Sequence, residues 1–344
     1  MSPGTEVPLV KPLIAITAGD PAGIGPEIVL KALGDPAIYD VCRPIVVASI
    51  EVMSRASRSM KLTPVRVVAR IGDARFDKGT VDVLDVAAGY LSELELGKVQ
   101  PEAGGAALTW IRRAVELALS GQVDAICTAP INKEAVVRSG VAGFRGHTEF
   151  LGELCKVSDP LTMFVVGSLR ILFLTRHLSL AEAVAQVTAD RIERFIPEVD
   201  KVLRELGINA PRIAVAGLNP HSGEGGLFGS EEEEEIRPAV ARAREKGFDV
   251  TGPVPADSVF YQARTGRFDA VISLYHDQGH IASKTLDFER TVSVTLGLPF
   301  VRTSVDHGTA FDIAGKGVAS EVSMKEAIKV AADYAARVKA SREA

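Results

Sequence analysis

Six histidines are the residues of this 344-residue chain whose types and surroundings most clearly indicate chemistry. All of them lie at or after position 147, in short motifs of polar residues and glycine; they are His147, His177, His221, His276, His280 and His307. Near neutral pH an imidazole can bind a metal ion, carry a proton or form hydrogen bonds. Because several of these motifs follow apolar runs, we expect a metal site or an acid–base site.

The elements that position these motifs alternate between short apolar runs and amphipathic segments. Strands are predicted at 13–17, 44–50, 65–71, 125–129, 161–166, 169–175, 212–218 and 268–274, and helices at 26–33, 106–120, 188–206 and from Ser323, with Glu326 completing a capping box. This alternation predicts an α/β fold with a mostly parallel sheet. Ligands of such folds bind at the carboxyl ends of strands, which is where the histidine motifs lie.

Composition excludes several classes of partner. A net charge of -5 argues against nucleic acid, and no apolar stretch is long enough to cross a membrane. Residues 1–11 are polar and lack the apolar core of a signal peptide. The cysteines, Cys42, Cys127 and Cys155, have no CxxC spacing and fit a reducing compartment. We therefore expect a soluble, cytoplasmic protein of two domains.

Two further segments have both a structural and a functional interpretation. The glycine-rich segment 19–27 follows the first predicted strand and allows a tight turn with close backbone approach, although it lacks the third glycine of the dinucleotide fingerprint. On its own it is equally compatible with a structural turn into a helix. The acidic run 231–235 is interpreted as the first turn of a helix capped by Ser230, because carboxylates suit that end of the helix dipole.

Residues 19–27 resemble the opening of the β-decarboxylating dehydrogenases of the isocitrate and isopropylmalate kind, and 306–317 is similar to their cofactor loop. Four more motifs, at 146–150, 219–226, 275–279 and 297–308, resemble the PdxA family of 4-hydroxythreonine-4-phosphate dehydrogenases. The resemblance runs from about Leu13 to the last helix. It implies two α/β/α domains with a mostly parallel mixed sheet and a cleft between them. Residues 1–138 with 305–344 would bind the cofactor, and 139–304 would hold metal and substrate and form the dimer.

The same resemblance implies the reaction and its cofactors. An alcohol next to a carboxylate-bearing carbon would be oxidised by NAD, with NADP still open, and the β-keto acid would lose carbon dioxide. A divalent ion (zinc, magnesium, manganese or cobalt) would be held by His177, His221 and His276 and shared between the subunits of a homodimer. Such an ion stabilises negative charge on the reacting oxygen.

The remaining site residues also follow from the resemblance. Substrate contacts are expected at His147, Thr148, Lys284, Ser293 and Arg302. Cofactor contacts are expected at Asp20, Gly23, Gly25, Asp306, His307, Gly308, Thr309, Asp312 and Gly315. Asp277 and Lys284 would be catalytic, with Asp277 orienting His276 or moving a proton. Lys284 and Arg302 would bind a phosphate or carboxylate; the alternatives are a solvated surface lysine and an internal salt bridge.

Two departures from the family pattern bear on the substrate. Ser293 stands where the family usually has Asn, and His280 follows the His-Asp-Gln-Gly motif. At His280 the chain resembles a branch of the family that acts on 4-phosphorylated threonate or erythronate in sugar-acid catabolism, rather than in vitamin B6 synthesis. It also resembles there the relatives that oxidise a cyclohexadiene cis-diol dicarboxylate. We therefore predict a 4-phosphorylated four-carbon hydroxy acid, with 4-phosphohydroxy-L-threonine as a close competitor. An aromatic cis-dihydrodiol carboxylate dehydrogenase and a non-redox, metal-dependent lyase stay open.

Overall fold

The computed structural model describes residues 11–343. They form two compact units: a first unit of the described residues up to Phe144 with His307–Ala336, and a second unit of Arg145–Asp306 with the described residues from Arg337 on. The predicted boundaries, at 139 and 305, lie near the observed ones at 145 and 307. The residues from Arg337 on had been predicted in the first domain, and they group with the second unit, where Arg337 packs against Gly207.

The first unit contains a parallel sheet with strand order β3-β4-β2-β1-β5. Its strands are β1 Leu13–Thr17, β2 Arg43–Ala48, β3 Val65–Val68, β4 Val81–Asp85 and β5 Ala125–Thr128. Its helices are α1 Gly25–Leu33, α2 Ile38–Val41, α3 Ile50–Met60, α4 Pro101–Leu119 and α5 Lys133–Arg138. Every residue of β1 is buried, as expected for a central parallel strand covered on both faces.

The second unit contains a mixed sheet with strand order β12-β11-β6-β7-β10-β8-β9. Its strands are β6 Leu161–Val166, β7 Leu169–Phe173, β8 Ile213–Ala216, β9 Val250–Val254, β10 Ala270–Ser273, β11 Val292–Leu296 and β12 Val301–Val305. Its helices are α6 His147–Cys155, α7 Leu180–Ala185, α8 Ala189–Glu205, α9 Arg237–Glu245, α10 Ala256–Arg264 and α11 His276–Leu286. The pairs from β12 to β7 are antiparallel and those from β7 to β9 are parallel.

The α/β class and the mostly parallel mixed sheet are therefore confirmed, whereas some element ends differ from prediction. Ile50 begins α3 instead of ending a strand, because its N–H binds the Asp85 carboxylate. Ser323 is not a helix cap: the last helix, α12 Val322–Glu343, starts one residue earlier, and Lys325 N–H donates to Glu321 O. Among residues 11–343, no helix is long and apolar enough to span a membrane.

Helix α11 lies close against the sheet of the second unit. Gly279 makes this possible, since a Cβ there would come within 2.6 Å of Phe173 and 2.8 Å of Ile171. Phe164, Phe173 and Ile171 belong to the apolar core beneath the helix, and Ala282 packs against that core from α11. Close packing at Gly279 thus fixes where the polar side chains at the start of α11 lie.

Candidate active site

Three of the histidine motifs follow adjacent parallel strands of the second unit. β10 pairs with β7 through Val271 and Ile171 and with β8 through Val271 and Ala214, so the carboxyl ends of the three strands share one edge of the sheet. His177 follows β7, His276 opens α11 just after β10, and His221 follows β8. This edge is where a parallel sheet presents its ligand-binding loops.

His177 and His276 lie close to each other at this edge. Their ring centroids are 5.8 Å apart. His276 Nδ1 lies 2.7 Å from the Asp277 carboxylate, which can only accept. In the neutral imidazole this contact places the proton on Nδ1 and leaves the lone pair on Nε2. Metal-binding histidines are oriented in this way. The Asp277 side chain is 70% exposed. Of the two roles predicted for it, orienting His276 therefore fits better than moving a proton.

His280 lies against the same imidazole. Its ring stacks on that of His276, with centroids 3.5 Å apart and planes 12° apart, and its Nδ1 donates to the His276 carbonyl at 2.8 Å. Phe164 and Phe173 cover its other sides, at 4.3 and 4.7 Å between centroids. Burial lowers the pKa of His280 to about 4, against the opposing effect of its hydrogen bond to the His276 carbonyl. His280 is therefore neutral at physiological pH.

His221 projects from an unusual loop. The backbone is left-handed from His221 to Gly226, with φ of 53° at both His221 and Ser222 and 43° at Glu224. Such angles are costly for side-chain-bearing residues. The His221 side chain is 67% exposed and lies 3.2 Å from Glu224, and the adjoining Leu227 is 71% exposed. The loop thus exposes the His221 side chain to solvent.

A buried carboxylate holds this loop in place. Glu232 is fully buried, and its Oε1 accepts the N–H groups of Leu218 and Asn219, each at 2.7 Å. Its Oε2 accepts the Asn219 side-chain amide at 2.9 Å. Glu232 lies in a π-helical turn, Glu232–Ile236, within the acidic run that had been interpreted only as a capped helix start. No Ser230 side-chain cap forms there.

The described part of one chain brings together two of the three proposed metal ligands. No group of three His, Cys, Asp or Glu side chains within residues 11–343 is arranged to hold an ion. His177 and His276 nevertheless have the donor chemistry for a divalent cation, with the tautomer of His276 already set. Two imidazoles at this edge can supply part of the ligand set of a divalent ion.

Lys284 and Asp306 form an ion pair in the second unit. The Lys284 ammonium lies 2.8 Å from Asp306 and 5.2 Å from the centre of the Phe288 ring. His276, His280 and Lys284 are spaced four residues apart on α11, which places them along one face. Lys284 is thus a partly exposed, paired cation on the helix face that carries His276, rather than a solvated surface lysine.

The other predicted substrate residues lie on β11, β12 and α6. Arg302 is 1% exposed and donates to Thr295 Oγ1 at 2.9 Å. Ser293 is partly buried and pairs with Ser304 across the β11–β12 ladder. The predicted residues His147 and Thr148 open α6.

In the first unit, the two segments predicted to bind the cofactor are in contact. Ile24 N–H donates to Thr309 O at 3.0 Å, and a Cβ on Gly23 would lie 2.9 Å from that residue. A Cβ on Gly25 would collide with Ala18 O at 2.1 Å, and one on Gly315 with Leu96 at 2.4 Å. These three glycines therefore have a packing reason of their own. By contrast, a Cβ on Gly308 would meet open space.

Asp20 and Glu27 are buried carboxylates of the same turn. Asp20 is 0% exposed; its Oδ1 accepts the Ala22 N–H at 2.8 Å, and no partner for Oδ2 lies among the described residues. Burial raises the pKa of Asp20 to about 6 against the opposing effect of backbone hydrogen bonds. Glu27 pairs with Lys31 at 2.8 Å and accepts the Ala319 N–H, which ties α1 to the chain beyond the 306–317 loop.

The rest of that loop is more open. His307 Nδ1 donates to Gly308 O at 3.0 Å, and Asp312 is exposed. Asp306 belongs to the second unit and Thr309 to the first. The predicted cofactor residues of the first unit thus divide into a tightly packed turn and an accessible loop segment.

A family model described as pyridoxal phosphate biosynthetic protein PdxA matches residues 40–331. The chain belongs to the PdxA family. A relative from Symbiobacterium thermophilum, provisionally named D-threonate 4-phosphate dehydrogenase, is 55% identical over 96% of this chain and 99% of its own. Membership of this family makes the chain a dehydrogenase.

Two solved structures resemble this PdxA chain over nearly its whole length. The 4-hydroxythreonine-4-phosphate dehydrogenase of Klebsiella pneumoniae is 43% identical, with a TM-score of 0.88, over 95% of this chain and 99% of its own. A terephthalate 1,2-cis-dihydrodiol dehydrogenase of Burkholderia xenovorans LB400 is 30% identical, with a TM-score of 0.64, over 94% and 98%. The fold thus follows the first protein more closely.

Sequence reasoning missed two residues that shape the site of this PdxA chain. Glu232 was hidden in a run of five glutamates, and only the structure shows that it is buried. Gln278 accepts the Leu274 N–H and donates to Gly217 O, each at 2.8 Å, and so ties the ends of β10 and β8. Its place between Asp277 and Gly279 in the histidine motif was the one available signal.

Proposed function

We propose that this chain is an NAD-dependent, divalent-metal-dependent dehydrogenase that oxidises and decarboxylates a 4-phosphorylated four-carbon hydroxy acid. D-Threonate 4-phosphate and D-erythronate 4-phosphate are the first candidate substrates, and 4-phosphohydroxy-L-threonine is the competitor. The observation that carries this proposal is the 55% identity, over 96% of the chain, to the relative named for D-threonate 4-phosphate. NAD and the metal come from the family resemblance of the motifs.

The metal part of the proposal rests on the edge formed by β7, β10 and β8. His177 and His276 would bind the ion together with His221 of a second copy, which fits a loop that exposes His221 beside Leu227. A divalent ion bound there would act as a Lewis acid towards the hydroxyl oxygen that is oxidised. Asp277 would keep His276 in the tautomer that presents Nε2.

Lys284 is the residue best placed to move a proton. It lies on the same face of α11 as His276, and Asp306 holds its ammonium at 2.8 Å. We assign Lys284 Nζ the protonation of the carbon left after loss of carbon dioxide, with Asp306 keeping the amine oriented. Arg302 would bind the phosphate, together with Ser293 on the same face of the ladder.

The cofactor part of the proposal rests on the first unit. The contact of the Asp20–Gly25 turn with Thr309 builds a preformed backbone surface, and open space at Gly308 allows a dinucleotide to approach. Asp20 Oδ2 would accept a hydrogen bond from the dinucleotide. His307 and Asp312 would complete the contact at the loop, where both are accessible to solvent.

The second candidate function is that of an aromatic cis-dihydrodiol carboxylate dehydrogenase. It draws on the 30% identical structure, whose TM-score of 0.64 is well below the 0.88 of the phosphate-substrate enzyme. The hypothesis of a non-redox, metal-dependent lyase is not supported, because the relatives reported above are named as dehydrogenases.

A substrate panel tests the proposal. Purified enzyme with NAD and Mn²⁺, Co²⁺, Zn²⁺ or Mg²⁺ would be given the three phosphorylated acids, unphosphorylated D-threonate and a cis-dihydrodiol dicarboxylate. We expect NADH and carbon dioxide in equal amounts from D-threonate 4-phosphate, with kcat/KM on the order of a hundredfold above that for D-threonate. Equal turnover of the two threonates, or a preference for the diol, would overturn the proposal.

A further inference from the structure

His280 lies between two residues that take part in the proposed reaction, but His280 itself has no role in that reaction. His276, on one side, is a proposed metal ligand, and Lys284, on the other, is the proposed proton donor; all three lie on one face of α11. The arrangement of the His280 ring shows what the residue can do.

The His280 ring is fixed from three directions. Its Nδ1 donates to the carbonyl of His276 at 2.8 Å, one turn back along the helix. One face stacks on the imidazole of that residue at 3.5 Å. Phe164 and Phe173 pack around the remainder, and the planes of Phe164 and His280 meet at 64°. The ring therefore has little freedom to turn.

This fixed ring restricts its neighbour. The imidazole of His276 is 37% exposed at the first position of α11, where its side chain would otherwise sample several rotamers. Asp277 constrains Nδ1, but its own side chain is 70% exposed, so it gives the His276 ring no packed surface. The stacked ring of His280 is half-buried and held by its own contacts, and it is the surface that sets the plane of the His276 imidazole.

We propose that His280 is a positioning residue for His276, whose stacked ring and carbonyl hydrogen bond hold the His276 Nε2 in the orientation that binds a divalent cation. This inference rests on the proposed metal site. The physical reason is pre-organisation: a ligand held in one rotamer loses less conformational entropy when it binds the ion. Packing residues around a metal ligand tune affinity in this way without touching the ion.

The test compares His280→Leu, His280→Phe and a control in the full-length protein. Leu removes both the ring and the hydrogen bond, and Phe keeps a flat ring in the stack. Thr285→Ala is the control, since Thr285 is exposed on the same helix. Co²⁺ affinity would be measured by competition with a chromophoric chelator, alongside the Co²⁺ absorption spectrum and the thermal unfolding of the metal-free protein.

We expect His280→Leu to bind Co²⁺ about ten- to a hundredfold more weakly, with an altered spectrum. The His280→Phe protein should lose less, and Thr285→Ala should match the wild type. A folded His280→Leu protein with wild-type affinity and spectrum would overturn the inference while leaving the metal site intact. A wild-type protein that does not bind Co²⁺ would overturn both. Should the Leu variant fail to fold, His280→Ala takes its place, because it also removes both the ring and the hydrogen bond, with the same expected loss.

Discussion

At the scale of single residues, the buried carboxylate of Asp20 destabilises the fold and is also proposed to bind the cofactor. Its carboxyl group is fully buried and one of its oxygens has no partner among the described residues, so ionisation is disfavoured and its pKa rises to about 6. An unpaired buried charge is expensive unless a ligand supplies the missing partner. A dinucleotide that donates a hydrogen bond to this oxygen would supply that partner.

We predict that Asp20→Asn stabilises the protein without cofactor near neutral pH. The folded pKa of about 6 lies above the ordinary aspartate value of 3.8, so folding takes up a proton between pH 4 and 6. The aspartate protein therefore loses stability as pH rises through that window. The amide escapes this cost while its oxygen can still accept the Ala22 N–H. The gain at pH 7.5 should be up to about 2–3 kcal/mol in urea unfolding and vanish near pH 4.

The same variant tests the cofactor role of Asp20. The dissociation constant of NAD should rise for Asp20→Asn, although the protein is more stable. A more stable variant with wild-type NAD affinity would leave Asp20 a purely structural residue.

Arg302 is a second residue-scale case, since it is almost fully buried and donates to Thr295. We predict that Arg302→Ala raises KM for the phosphorylated acid on the order of a hundredfold, because a charge-assisted contact is lost. KM for NAD should change little. Arg70→Ala, at a residue whose side chain is 82% exposed, is the matched control. If both substrates were affected equally in steady-state kinetics, a folding defect would be the better explanation.

At the scale of elements, the loop after β8 shows how one side chain can shape a segment. Glu232 gathers two backbone N–H groups and the Asn219 amide, and these bonds fix the start of the left-handed run. Histidine, serine and glutamate adopt this conformation at a cost on the order of 1 kcal/mol each. The buried carboxylate compensates for that cost from outside the loop.

We predict that Glu232→Ala releases the loop. Three donors would lose their acceptor, so stability in urea should fall by about 3 kcal/mol or more. Hydrogen exchange should accelerate at Leu218 and Asn219, and metal affinity should fall because His221 is no longer held. Glu233→Ala is the control, since its ion pair with Arg237 lies at the surface and such pairs contribute about 0–1 kcal/mol. Unchanged exchange in Glu232→Ala would contradict this account.

Helices and strands with a clear pattern of apolar residues could be predicted from the sequence. Features that depend on tertiary contacts could not. The strands β6 and β7, predicted at 161–166 and 169–175, and the long helix α8, predicted at 188–206, lie within two residues of the predicted bounds. β11 and β12 were not predicted as strands, and length is not the reason, because the four-residue strands β5 and β10 were predicted. β12 lies within the motif 297–308, whose residues were interpreted only as site residues. The burial of Glu232 and the stacking of His280 depend on residues distant in sequence or on helix packing, so no local pattern reveals them.

At the scale of the whole molecule, we propose that the metal site is shared between two chains. His177 and His276 are neighbours within one chain, whereas residues 11–343 contain no three-residue group that could hold an ion. A symmetric homodimer would place His221 of each copy in the site of the other.

A mixing experiment tests this arrangement. His221→Ala and His276→Ala homodimers should each be inactive. After subunit exchange, half of the dimers are hybrids and one of the two sites in each hybrid retains all three histidines, so about a quarter of wild-type activity should return. Activity would be followed as NADH formation during exchange. Mixtures that stay inactive although mass spectrometry shows hybrid dimers would contradict a shared site.

The left-handed loop at 221–226 also bears on how the protein fails when heated. A segment that stores backbone strain and whose start depends on the buried Glu232 carboxylate should open locally at a lower temperature than the adjoining sheet. Residual activity after short incubations at increasing temperature should therefore fall before the cooperative melting of the fold, and excess metal should delay that loss. The upper working temperature of the enzyme would then be set by a six-residue loop, and stabilising the hydrophobic core would leave that limit unchanged.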